Sequence, residues 1–173
     1  MACLFSLVCI LSTTLSLPWA ALLSIFGGYL FGFKSLLFLI PSLACGGLCA
    51  FLIARYLVGN LVQKRFGTYL EKFNHEISIF GGWYLFIIRL IPVFPFFLVN
   101  SVAALTSISV RAFVVATITG IIPPTTVFIF AGTQLARINA VSDIFSTQVI
   151  FAFVLLVVLA LVPVLYQRLF VRR

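Results

Sequence analysis

The sequence predicts an all-α polytopic membrane protein. It would have about four spanning helices, two opposed re-entrant helical hairpins and one amphipathic interfacial helix. Three observations carry this. Of the 173 residues, 64% are hydrophobic and 8% charged, against roughly 25% charged in a soluble domain. The eleven Lys and Arg fall in short patches between long apolar runs. Two of those runs are broken by Gly or Pro, and each is followed by a span. Residues 1–173 read as a single membrane domain.

Residues 3–17 form the first apolar run, near the lower length limit for a span. A signal peptide cut near Trp19-Ala20-Ala21 would need a positive leading region, which is missing, so a retained first span is expected. Residues 18–32 are the first broken run. Pro18 suits a first helical turn, and Gly27, Gly28 and Gly32 interrupt the rest of the run, so a short hairpin is expected. Lys34 marks a return to water. Residues 35–56 are then a clear span, with Ala44, Gly46, Gly47 and Ala50 allowing close helix approach.

Residues 59–77 change character. Val62, Phe66, Tyr69, Leu70, Phe73 and Ile77 share one helical face, and Lys64, Arg65, Glu71, Lys72, His75 and Glu76 the other. This predicts a helix lying in the interface, near anionic headgroups. Glu71 and His75 are spaced as metal ligands could be, but a solvated face explains them more simply.

Residues 80–100 are the second broken run, FGGWYLFIIRLIPVFPFFLVN, with Gly81 and Gly82 near its start. A charge at bilayer depth costs about 2.5–3.5 kcal/mol on insertion scales, and this run carries Arg89. Pro92 and Pro95 would each remove a helical hydrogen bond. A re-entrant segment facing protein or water accommodates both. Residues 112–134 form the next span, interrupted by Gly120, Pro123 and Pro124, with Thr117, Thr119, Thr125 and Thr126 placed to satisfy freed backbone groups. Residues 144–166 form an unbroken C-terminal span.

Charge orients this arrangement. With four spans and two re-entrant segments, Arg55, Lys64, Arg65, Lys72, Arg111, Arg168, Arg172 and Arg173 share one side, and Lys34 and Arg137 the other. The positive-inside rule makes the richer side cytoplasmic, together with both termini. The first hairpin then enters from outside and the second from inside. Phe26-Gly27-Gly28-Tyr29-Leu30-Phe31 also echoes Phe80-Gly81-Gly82-Trp83-Tyr84-Leu85-Phe86, as in an inverted repeat of interrupted helices.

Several chemistries find no support. The net charge of +8 comes without a nucleic-acid-binding motif. Cys3, Cys9, Cys45 and Cys49 lie in apolar runs without zinc spacing and read as packing residues. The only acids, Glu71, Glu76 and Asp143, lie outside the spans, and no nucleophile, phosphate loop or metal cluster is visible. No enzyme activity, cofactor or metal is expected. The candidate binding residues are Arg89, Pro92, Pro95, Asn100, Gly120, Pro123 and Thr125. Arg89 suits an anion such as a phosphate headgroup through its bidentate fork, or else pairs with carbonyls freed by the prolines. Asn100 either bonds across the break or caps the following helix.

These residues carry a family resemblance. Arg89-Leu90-Ile91-Pro92-Val93-Phe94-Pro95-Phe96, then Asn100, Thr106, Gly120 to Pro123 and Gly132, resemble the DedA-like, VTT-domain superfamily of SNARE-associated Golgi proteins. Gly28-Tyr29-Leu30-Phe31-Gly32 and Ala54-Arg55-Tyr56-Leu57 extend the likeness, which covers about residues 17–136. The resemblance implies two opposed re-entrant hairpins and lipid movement across the bilayer. Eukaryotic members scramble lipid, and bacterial ones transport undecaprenyl-phosphate or phospholipid. Arg89 matches the family arginine of the second hairpin. Proton-coupled bacterial members have membrane acids near the first hairpin and a second arginine where this chain has Pro95. Phe97 and Ala104 also depart from frequent Asn and Gly. The chain therefore resembles the branch with an RLxPxxPF-type motif.

A lipid transporter or scramblase is the leading expectation, with membrane lipids as partners and a homo-oligomer possible. The alternatives are a small-solute or ion-coupled transporter, which lacks a membrane carboxylate here, and a non-transporting assembly factor. The setting expected is a bacterial cytoplasmic membrane.

Overall fold

The computed structural model describes residues 1–58, 81–90, 95–138 and 146–166. The expected interfacial helix over 59–77 and the candidate Pro92 lie outside the described residues. The described chain is all-helical: α1 (Ala2–Thr14), α2 (Ala20–Phe31), α3 (Leu36–Ile53), α4 (Gly82–Leu90), α5 (Phe96–Ala104), α6 (Val110–Leu135) and α7 (Thr147–Tyr166). It is a membrane protein by composition and surface. Large apolar side chains such as Leu7, Leu22, Phe26, Leu37, Val115 and Val154 face outward, as a hydrocarbon solvent permits. Two helical stretches are long and apolar enough to cross a bilayer, Ala20–Leu57 and Val110–Leu135.

At 13 residues, α1 is about 20 Å long, short of a hydrocarbon core of about 30 Å. It closes before Pro18 is reached. The Leu17 N–H donates to the Ser12 carbonyl and the Ser16 N–H to the Thr13 carbonyl, both at 3.0 Å. Ser16 is left-handed, with φ 61°. This is a Schellman closure with serine in the place glycine usually takes.

The first broken run is corrected in detail. Gly27 and Gly28 do not interrupt it, because α2 runs unbroken through both. The break is at Gly32, with φ 61° and ψ −152°, a conformation open in practice only to glycine. A 3₁₀ turn over Gly32–Ser35 comes next, closed by the Ser35 hydroxyl donating to the Gly32 carbonyl at 2.6 Å. The chain folds back here. The Leu39 side chain lies against Gly27, which a straight helix would hold about 18 Å away along its axis. The Ala20–Leu57 stretch is therefore two helices of 12 and 18 residues with a π turn at its end, not one rod. The sequence echo also falls in unlike places. Gly27 and Gly28 sit inside a helix, whereas Gly81 (φ 55°) precedes α4 and Gly82 begins it.

Helix α6 is the axis of the bundle. It spans 26 residues, about 39 Å, and starts at Ser109, whose hydroxyl accepts the Ala112 N–H at 3.2 Å. The interruption expected in its middle is absent, since the helix continues through Pro123 and Pro124. Those prolines strip the Thr119 and Gly120 carbonyls of their usual donors. The threonine hydroxyls bond elsewhere: Thr117 to the Phe113 carbonyl at 2.6 Å, Thr119 to Val115 at 2.7 Å and Thr126 to Ile122 at 2.8 Å.

Two partners divide α6 between them. Its second half crosses α2 at backbone contact, with Gly28 on the Ile129 backbone and Gly132 on the Ile25 carbonyl, and neither site has room for a Cβ. Its first half packs on α4, and with α3 and α5 they enclose a core of Phe51, Leu85, Val99, Ala103, Ile108 and Phe113. A smaller core of Cys9, Leu39 and Ile129 joins α1, α3 and α6.

Candidate functional site

The second broken run builds the site. Helix α4 is nine residues long and carries Arg89 one position before its end. Pro95 then caps α5 with φ −53° and ψ 133°, the extended geometry its ring favours. Arg89 of α4 and Asn100 of α5, which one continuous helix would hold about 16 Å apart along its axis, come into hydrogen-bonding contact.

Arg89 is 6% exposed and Asn100 fully buried. Arg89 Nη2 donates to Asn100 Oδ1 at 2.8 Å. Asn100 therefore bonds across the break and does not cap a helix. The guanidinium carbon lies 4.7 Å from the Phe96 ring centre and 5.2 Å from that of Phe113, both within cation–π range. Gly120 makes room for the arginine stem. A Cβ built there would stand 2.8 Å from Arg89 Cβ, so α6 passes under Arg89 at a distance only glycine tolerates.

The pairing is incomplete. Arg89 Nε and Nη1 and Asn100 Nδ2 are buried without an acceptor among the described residues. Each such group costs about 1–3 kcal/mol while unpaired. Asn100 Nδ2 is turned toward Gly47 of α3, 3.5 Å from where a Cβ would be. Arg89 instead forms part of the wall of a cavity of about 270 Å³. The start of α2 (Pro18, Ala20, Ala21), the start of α5 (Pro95, Phe96) and the proline turn of α6 (Pro124, Thr125) complete most of that wall.

The candidates divide accordingly. Arg89, Pro95 and Thr125 line the cavity, while Asn100 and Gly120 stand behind Arg89 and hold it. Pro123 is not among the residues that line the cavity. It is exposed, and its neighbour Pro124 is buried and lines the cavity, because successive helical residues point about 100° apart. Gly27 and Gly28 serve the packing of α2, Gly32 and Gly81 the turns, and Gly82 lies near Ala112 of α6. The sequence reading missed Phe113 and the α2 wall. Phe96 stood at the end of the arginine–proline motif and Pro18 at a helix start, but nothing in the sequence joined Pro18 to Arg89. Among the described residues no group of acids, cysteines and histidines could hold a metal.

A family model described as the VTT domain matches residues 17–134. The "Transmembrane protein 41 homolog" of Dictyostelium discoideum is 31% identical over 157 residues, covering 88% of this chain and 47% of that protein. "Transmembrane protein 41B" is 29% identical in Homo sapiens and 28% in Gallus gallus, each over 161 residues. Those matches cover 90% of this chain and 55% and 59% of the two relatives, so the chain spans about half the length of the curated proteins it resembles. No solved structure matches. A family match over both broken runs, joined to an Arg89 site built from the second of them, has one reading: the chain belongs to the VTT-domain family.

Proposed function

We propose that this protein moves a phosphate-bearing lipid, a phospholipid or a polyprenyl phosphate, across the bilayer, with the headgroup passing Arg89 and the acyl tails remaining in the membrane. One observation carries the reading: a buried guanidinium with two unpaired donors in the wall of a largely apolar cavity. A structural arginine would have its donors filled, and an anion supplies the missing acceptors. The family adds support through its link to lipid scrambling. The same reading includes four spans, two hairpins entering from opposite faces and both termini on the basic, cytoplasmic side of a bacterial membrane. Anionic headgroups gather at that side, and the protein has no enzymatic activity. The purified full chain in liposomes with fluorescent phospholipids tests this by the fraction of label reached by a membrane-impermeant quencher. We expect wild type to raise that fraction, Arg89→Ala to abolish the gain, and Arg89→Lys to restore part of it, since a lysine offers no planar fork. No lipid movement by wild type, or full movement by Arg89→Ala, would sink the reading.

A further inference from the structure

Helix α2 begins at the cavity that Arg89 helps to wall. Pro18 precedes the helix, Ala20 and Ala21 open it, and all three line the cavity. The N–H groups of the first turn have no partner within a helix. The capping position is held by Trp19, which has no side-chain acceptor to offer. The Trp19 carbonyl is engaged by the Leu23 N–H at 2.9 Å. Ser24, one turn in and 2% exposed, donates its hydroxyl back to the Ala20 carbonyl at 2.7 Å and so offers the first-turn N–H groups no cap. An uncapped N-terminus of a 12-residue helix carries about half a positive charge. The second, independent observation is Arg89, 6% exposed, in the same wall with Nε and Nη1 unpaired. None of the cavity-lining residues is an acid. The helix start and Arg89 thus belong to the wall of one apolar space that no acid lines.

We infer that the start of α2 and Arg89 are two halves of one oxyanion site, in which the Ala20 and Ala21 N–H groups and the free Arg89 donors hold a phosphate group between them. This rests on the role proposed for Arg89 in lipid movement and adds the other half of the grip. Phe96, whose ring lies over the guanidinium and also lines the cavity, is the side chain the phosphate must turn aside. Backbone donors read the phosphate and ignore what is esterified to it, so the site takes a phosphate monoester or diester whatever the rest of the headgroup.

The test uses the full chain in detergent with Trp83→Phe, which leaves Trp19 as the only tryptophan, placed at the start of α2. Its emission is followed during titration with inorganic phosphate and, separately, with dihexanoyl phosphatidic acid. Both should shift the emission. Binding of the lipid alone identifies a headgroup site, and equal binding of both a general phosphate site. Ala21→Asp puts a fixed carboxylate at the helix end. It should weaken binding about tenfold or more beyond Ala21→Asn, which matches it in size, while its unfolding temperature is no lower than wild type. Arg89→Gln should weaken binding by at least as much. If Arg89→Gln weakens binding and Asp and Asn at 21 behave alike, the α2 half is wrong and the Arg89 reading stands. If neither phosphate nor the lipid binds wild type, or Arg89→Gln binds as wild type does, both fall.

Discussion

Arg55 and Arg89 end helical segments of similar composition, yet the fold treats them oppositely. Arg55 follows α3 in a short π turn. Its Nε donates to the Ala104 carbonyl at 3.2 Å, and its Nη2 to the Thr106 and Ile108 carbonyls at 2.8 Å each. Those acceptors are the end of α5 and the turn into α6, where helix geometry leaves carbonyls without donors. Arg55 also lies 4.3 Å from the Phe51 ring centre. Phe51 stacks on Phe113 at 4.0 Å, and Phe113 faces Arg89. A pair of stacked rings thus separates a satisfied guanidinium from an unsatisfied one. The first guanidinium ties α3 to the α5–α6 turn, and the second keeps two donors unpaired among the described residues.

The largest expected effect comes from removing the satisfied arginine. Arg55→Ala frees three carbonyls and the α5–α6 turn, and should lower stability by roughly 2–4 kcal/mol, read by thermal or chemical unfolding in detergent. Arg55→Lys should recover little, because one ammonium cannot span three carbonyls set for a planar fork. Gly120→Ala comes next, at about 1–3 kcal/mol, because its Cβ must push Arg89 aside in a packed crossing. Asn100→Ala should cost a comparable amount, about 1–3 kcal/mol, by removing the one acceptor Arg89 has among the described residues. Phe51→Leu, which breaks the ring stack, should cost roughly 0.5–1.5 kcal/mol beyond its lost burial area. The smallest stability effect belongs to Arg89→Met. It removes a buried group with unpaired donors and should leave stability within about 1 kcal/mol of wild type while lipid movement stops. An Arg89→Met variant as unstable as Arg55→Ala would erase the distinction between the two arginines.

Much of the second broken run was legible. Arg89 stood out because a charge in an apolar run is costly, and Pro95 because its ring fixes the chain. Asn100 was a polar residue with few acceptable places to go, and the structure resolved its two readings in favour of Arg89. The partners of Arg55 were not legible, for an equally physical reason. At the end of a span, a basic residue looks like one more member of the cytoplasmic charge patch, and nothing local says that three carbonyls about fifty residues later will surround it. The glycines were harder still. Gly28 and Gly32 are alike on paper, yet one is needed for lack of space beside Ile129 and the other for its φ of 61° with nothing nearby.

The sequence by itself determined the solvent, the helical class and the costly residue. Hydrophobicity, helix periodicity and the expense of a buried charge are local quantities, summed over a run of neighbours. Tertiary structure alone decided which breaks are real, which of two adjacent prolines meets the cavity, and which arginine keeps free donors. Those outcomes depend on what a distant helix brings to within hydrogen-bonding reach. Arg55 met three carbonyls, and Arg89 met one amide oxygen, two aromatic rings and a cavity that begins at the start of α2.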